Sequence, residues 1–187
     1  MTLAQIMELA LRQLDEDISD ISDFDTLFKY YANEGYTIAQ RKWYHPRERV
    51  VLMTDENGTV NLEGTGIVHV LLVRRGNRGE WYSISPDGKE MHTRVKDGEL
   101  EAMCEVEWPV LTRETDVPKL PAHAHGALVD YICYRHLLNG NAAKQQRAQM
   151  YLMQFERAMR ELHSQGADSV THMRGLYEAS DIRYRRW

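Results

Sequence analysis

The 187-residue chain carries 43% hydrophobic and 27% charged side chains, enough apolar material for a sizeable core and too much for wholesale disorder. A net charge of −5 argues against a dedicated nucleic-acid binder, and two widely spaced cysteines, Cys104 and Cys133, argue against a disulfide framework or a zinc cage. The longest apolar run, Ile67 to Val73, is far shorter than the ~20 residues of a membrane span, and no basic region precedes the first apolar residues, so an intracellular chain without membrane contact is expected.

Thr2 and Gln5 form a capping-box pattern, and Leu3, Ile6, Met7, Ala10 and Leu14 recur on one face, which predicts a helix over Leu3 to Leu14. Asp15 to Asp25 reads as a solvated loop. It opens like a calcium loop, but Asp20 and Thr26 stand where that motif needs Gly and Glu. A second helix is expected from about Phe24 to Trp43, with Phe24, Leu27, Phe28, Tyr31, Gly35, Ile38 and Ala39 on its apolar face. Glycine inside a helix costs about 1 kcal/mol relative to alanine, so Gly35 marks a close helix crossing. His45-Pro46 closes the helix.

The character changes over residues 50–106. Asn57-Gly58, Asp87-Gly88 and Asp97-Gly98 are turn signals, and Gly76-Asn77-Arg78-Gly79 is a looser one. They separate β-rich runs at Val50–Thr54, Thr59–Leu62, Ile67–Val73, Glu80–Ser85, Lys89–Val95 and Leu100–Val106. The last alternates, with Leu100, Ala102, Cys104 and Val106 on one face and Glu101, Met103 and Glu105 on the other. No gap is long enough for a parallel crossover, so an antiparallel meander is expected.

Trp108 to Pro121 holds three prolines and reads as an extended connector, with Pro121 at the first turn of a third helix running to about Leu138. Asn139-Gly140-Asn141 supplies a glycine stop and an asparagine cap, which predicts an αα-hairpin whose second arm spans about Ala142 to His163. Gly166 ends that pattern, and 167–187 reads as an extended arm. Residues 1–45 and 46–119 each sum to −4, whereas 120–187 sum to +3, with Arg183, Arg185 and Arg186 near the end. Tyr177, Ile182, Tyr184 and Trp187 add large apolar groups among those arginines, a combination suited to anchoring an interface.

No catalytic constellation emerges. Gly64-Thr65-Gly66 precedes a strand and lacks a third glycine, so it is no phosphate loop. His123 and His125 lack further ligands at metal spacing, Cys133 reads as a small buried hydrophobe, and no nucleophile elbow surrounds Ser83 or Ser85. A non-enzymatic chain with no cofactor and no metal is expected.

The predicted class is α+β: a four-helix body, made of two N-terminal helices (1–45) and the hairpin (121–166), with an inserted β module and connector (46–120) and the arm (167–187). Ile6, Leu27, Tyr31, Leu128, Tyr131, Tyr151, Phe155 and Leu162 are its expected core.

Two stretches carry a family resemblance. Tyr31-Ala32-Asn33-Glu34-Gly35-Tyr36 is similar to a Y-x-N-E-G-Y helix. Pro118-Lys119-Leu120-Pro121, followed by His125 to Arg135, is similar to P-x-L-P … H-x-A-L-V-x-Y-x-x-Y-R. With these and its order of elements, the chain resembles the head–tail adaptor (connector) proteins of tailed bacteriophages. The resemblance implies a structural virion protein in the neck between capsid and tail, assembled in the host cytoplasm. It implies a ring, twelve copies to match the portal, with the portal protein on one side and a tail or nozzle protein on the other. DNA would pass through its lumen without tight binding, and Tyr177, Ile182, Arg183, Tyr184, Arg185, Arg186 and Trp187 would form the portal-binding arm. Read from the residues alone, a non-viral monomeric α+β binding module with a solvated tail stays open beside it.

Overall fold

The structure, a computed structural model, describes residues 1–15 and 21–177. In chain order it forms α1 (Leu3–Leu14), α2 (Ile21–Ile38), a π-helical turn (Ala39–Tyr44), β1 (Arg47–Met53), β2 (Thr59–Asn61), β3 (Ile67–Arg75), β4 (Arg78–Gly79), β5 (Tyr82–Ile84), β6 (Glu90–Thr93), β7 (Glu99–Val106), a 3-10 turn (Ala122–Ala124), α3 (His125–Leu137) and α4 (Ala142–Tyr177). The fold is α+β, with four helices and an antiparallel β insertion. It divides into a helical unit, Met1–Tyr44 with the chain from Val110 on, and a β unit, His45–Pro109.

In the helical unit, α1 is set by its capping box. Gln5 N–H donates to Thr2 Oγ1 at 3.3 Å and Thr2 N–H to Gln5 Oε1 at 2.9 Å. Leu3, Ile6, Met7, Ala10, Leu11 and Leu14 are buried from that helix, which packs against α2 and α3. Two further donors of its first turn are taken up by the Pro-rich connector: Leu3 N–H donates to Asp116 O at 2.8 Å, and Ala4 N–H to Glu114 O at 3.0 Å. These bonds are why the connector from Val110 on sorts with the helices, where the sequence grouped it with the β module.

The buried ridge of α2 is Phe28, Ala32 and Tyr36, continued by Ala39 in the π-helical turn. Leu27, expected in the core, is 41% exposed. One residue is about 100° of helix rotation, so burying Phe28 against its neighbours turns Leu27 to the flank. Along α4 the helix does not stop at Gly166 but runs to Tyr177, so 167–177 is helical and not an extended arm. An isolated glycine weakens a helix by about 1 kcal/mol without breaking it, and no proline follows either Gly166 or Gly175. No helix among the described residues is long and apolar enough to cross a membrane.

The β unit is antiparallel throughout, but it is not a meander. One sheet has the order β1-β7-β3-β4 and the other β2-β6-β5. The first strand lies beside the last, Arg47 opposite Glu105 and Met53 opposite Glu99, and β3 flanks β7 on its other side. Thr54 N–H to Gly98 O at 3.0 Å and Val106 N–H to Pro46 O at 2.9 Å clamp the two ends of the β1–β7 pair. Alternation along β7 turns Leu100, Ala102 and Cys104 inward. They join Leu52, Val60, Leu62, Val73, Met91 and Val95 in one core fed by both sheets. That shared core explains the long-range pairing: local hairpins alone would leave each sheet with one apolar face in water. Gly58 (φ +79°) needs glycine twice over, since its backbone is left-handed and a Cβ there would collide with Thr93 O.

Candidate functional site

The two motif stretches meet in the helical unit and form a clasp between α2, α3 and the connector. Its centre is Gly35, where a Cβ would fall 2.8 Å from Tyr131 Cδ1 and 2.9 Å from Cγ, so the ring lies directly on the α2 backbone. One residue earlier, Glu34 Oε2 stands 2.8 Å from Arg135 Nε, and the same guanidinium lies 5.3 Å from the centre of the Tyr31 ring. Burial, reinforced by the negative Glu34, holds the Tyr131 hydroxyl protonated far above the usual phenol range. Tyr131 also packs edge-on against Tyr134 and, with ring centres 4.9 Å apart, against Phe155 of α4.

Asn33 fixes the returning chain in both directions. Its Nδ2 donates to Leu111 O at 2.8 Å, and Leu111 N–H donates to its Oδ1 at 2.7 Å. An amide side chain is one of the few groups that can imitate a strand partner in this way. Further along, Lys119 N–H donates to Tyr36 Oη at 3.1 Å, and the buried His125 donates from Nε2 to Leu120 O at 2.8 Å. Asp116 accepts the N–H groups of Arg113 and Thr112, each at 2.8 Å, which holds its carboxyl below the ordinary carboxylate range. Nearly every polar residue of the two motifs is therefore engaged inside the unit as a fastener.

Chemically the clasp is an ion pair, hydrogen bonds from an amide side chain and rings packed edge-on or tilted. The thiols of Cys133 and Cys104 are pushed up by burial to about 12 and about 11. No three His, Cys, Asp or Glu side chains among the described residues converge as a metal set.

Of the expected core positions, Ile6, Leu128, Tyr131, Phe155 and Leu162 are buried, Tyr31 and Tyr151 are half-buried at the flanks, and Leu27 faces outward. Tyr151 Oη donates to Gln13 O at 3.2 Å beside Arg147, which reaches the same carbonyl at 3.1 Å. Tyr177 closes α4, while Ile182, Arg183, Tyr184, Arg185, Arg186 and Trp187 lie outside the described residues. Residues that the sequence reading passed over stand out on the β unit: Trp81, Val51 and Met53 are large apolar side chains left in solvent. A signal existed for the latter two, because Val50 to Met53 is apolar on both faces of one strand.

A family model described as the SU10 adaptor protein matches residues 1–176. The chain belongs to the SU10 adaptor protein family. No curated protein matches it. The match takes in the whole β unit, whereas the motifs quoted above lie only in the helices and connector, so the insertion is part of the adaptor pattern. This adaptor is a structural head–tail protein of a bacteriophage. Membership implies a place in the virion neck among portal and tail components. A structural adaptor agrees with motif residues spent on internal fastening.

Proposed function

We propose that this adaptor forms a ring directly beneath the portal and joins it to a tail or nozzle protein, leaving a channel through which DNA passes. The single observation that carries the reading is the family match over residues 1–176. Three features support it. The chain is net acidic by five charges, which disfavours a tight grip on DNA, since such a grip draws its affinity from neutralising phosphates and releasing counterions. The clasp ties α2, α3 and the connector into one closely packed body of the kind a ring needs. Beyond Tyr177 the sequence gathers Ile182, Tyr184 and Trp187 with Arg183, Arg185 and Arg186, residue types that anchor interfaces.

In this reading the C-terminal segment, with Tyr177 at its root, holds the portal, the arginines pairing with acidic groups there. The ring has twelve copies to match the portal, and it is put together in the host cytoplasm. The test is deletion of Asp181 to Trp187. The truncated chain should keep its helical circular dichroism and melting temperature while losing attachment to purified portal rings in electron micrographs. Undiminished decoration of portal by the truncated chain would end the arm assignment.

A further inference from the structure

The β unit has two unlike edges, and their chemistry is complementary. On β1, the hydrogen bonds at Thr54–Gly98 and Pro46–Val106 fix the phase of pairing with β7. That phase aims the backbone groups of Glu48, Val50 and Leu52 at β7 and those of Arg47, Arg49, Val51 and Met53 at the open edge. The side chains of these latter residues are exposed as well, Val51 by 57% and Met53 by 64%. Directly opposite Val51 and Met53 stand Glu101 and Glu99, both exposed and without an ion pair among the described residues. Toward its Met53 end this edge offers unpaired backbone, two apolar side chains and two carboxylates, Glu101 having Arg74 across the ladder, while its other end carries Arg49 and Arg47, the latter paired with Glu105.

The backbone of the opposite side, along β3, is only partly covered. Two bulges interrupt β3, Glu80 N–H donates to Val73 O at 2.9 Å, and Tyr82 Oη donates to Val70 O at 2.8 Å. What this side offers is side chains. Trp81 is 56% exposed with the Arg94 guanidinium 5.6 Å from its ring centre. At the tip of the β3–β4 hairpin, Arg75 and Arg78 face each other across the ladder, exposed and without an ion pair among the described residues. Like charges directly opposite on a ladder are destabilising, so a bare arginine pair there calls for an acidic partner. An exposed tryptophan sheathed by arginine calls for an apolar one. The β1 edge supplies both.

We propose that the Trp81–Arg94 edge and the Arg75–Arg78 hairpin tip of one copy dock onto the β1 edge of the next, with Trp81 on Val51 and Met53 and the arginines on Glu99 and Glu101. Two different faces meet, so the contact is heterologous and repeats head to tail, the form of contact that closes into a ring. It rests on the ring reading above and names the surfaces that build the ring.

Disulfide capture tests it on the adaptor alone, with the native Cys104 and Cys133 silent because both are buried. A chain carrying Met53→Cys and Trp81→Cys together should give a ladder of linked oligomers under mild oxidation. Each single variant should stay monomeric, and an equal mixture of the two should give dimers only. Introducing Arg75→Glu and Arg78→Glu into the Trp81→Cys chain should slow the mixed cross-link at least ~10-fold at low salt. Glu99→Arg and Glu101→Arg in its mate should restore the rate. A double-cysteine chain that stays monomeric, a single variant that dimerises by itself as fast as the mixture, or a rate indifferent to both charge reversals overturns the proposal. Portal attachment is a separate measurement, so either reading can fail while the other stands.

Discussion

Replacing Gly35 by alanine sets helix propensity against packing, and the structure decides the sign. Propensity alone favours alanine by about 1 kcal/mol in a helix interior. Against it, the new methyl would stand 2.8, 2.9 and 3.1 Å from Tyr131 Cδ1, Cγ and Cβ. Ordinary carbon contacts optimise near ~3.5–4.0 Å; Tyr131 Cβ is fixed by its backbone, and the ring is hemmed in by Tyr134 and Phe155. The helices must separate, loosening the Glu34–Arg135 pair and the Tyr131–Phe155 contact with them. Overpacking of this kind costs about 1–3 kcal/mol, and at its upper end the net loss is about 2 kcal/mol. For a chain of this size that lowers the melting temperature by roughly 4–8 °C, followed at the helical circular dichroism band. Gly126→Ala is the matched control: nothing lies within 4 Å of a Cβ there, so the same substitution should stabilise by about 0.4–1 kcal/mol. A Gly35→Ala chain that melts at or above the wild-type temperature would refute the clasp.

Phe155→Ala removes a buried ring packed on Tyr131 and should cost about 3–5 kcal/mol in urea unfolding, while a loss under about 1 kcal/mol would deny that face its place in the core. Burial raises the Asp130 carboxyl to about 6. Its folded pKa therefore lies above the unfolded one near ~3.9, the folded state binds more protons between the two, and stability falls as pH rises through that window. Asp130→Asn should thus raise the melting temperature at neutral pH and lose that advantage near the unfolded pKa, and an equal effect at both would contradict the assignment. Iodoacetamide at mildly alkaline pH should leave Cys104 and Cys133 unmodified in the native chain and label both after denaturation, as mass spectrometry would read, because burial holds both thiols protonated.

What was legible in the sequence was local. The capping box of α1, the inward alternation of β7 and the crossing at Gly35 each follow from a few neighbouring residues, and the structure contains all three. The order of strands was not legible, because a turn signal says that the chain reverses and not which strand it then lies beside. Asn57-Gly58 is a turn and Asp97-Gly98 only a bend between strands of different sheets, and β1 passes over the nearby β2 to pair with β7. Leu27 was misplaced for a different reason. Periodicity fixes a stripe only to about one residue in rotation, and the position of Gly35 under Tyr131 chose the ridge through Phe28. The clasp could be seen as motifs but not as contacts, since Asn33 reaches a connector residue, Leu111, 78 positions away.

The bond from Val106 to Pro46 has an evolutionary consequence. It ties the first and last strands of the insertion together, so the β unit leaves and rejoins the chain through a stem whose two sides are a single ladder step apart, about 5 Å. Asn33 and Tyr36 grip the connector on the helical side without using any residue of the β unit. Such a socket can accept a different domain, provided that domain's termini are adjacent. Grafting a short Gly-Ser bridge between Tyr44 and Val110 should therefore leave a folded helical protein by circular dichroism. By the same route, a phage lineage could exchange the β module while inheriting the helical body unchanged.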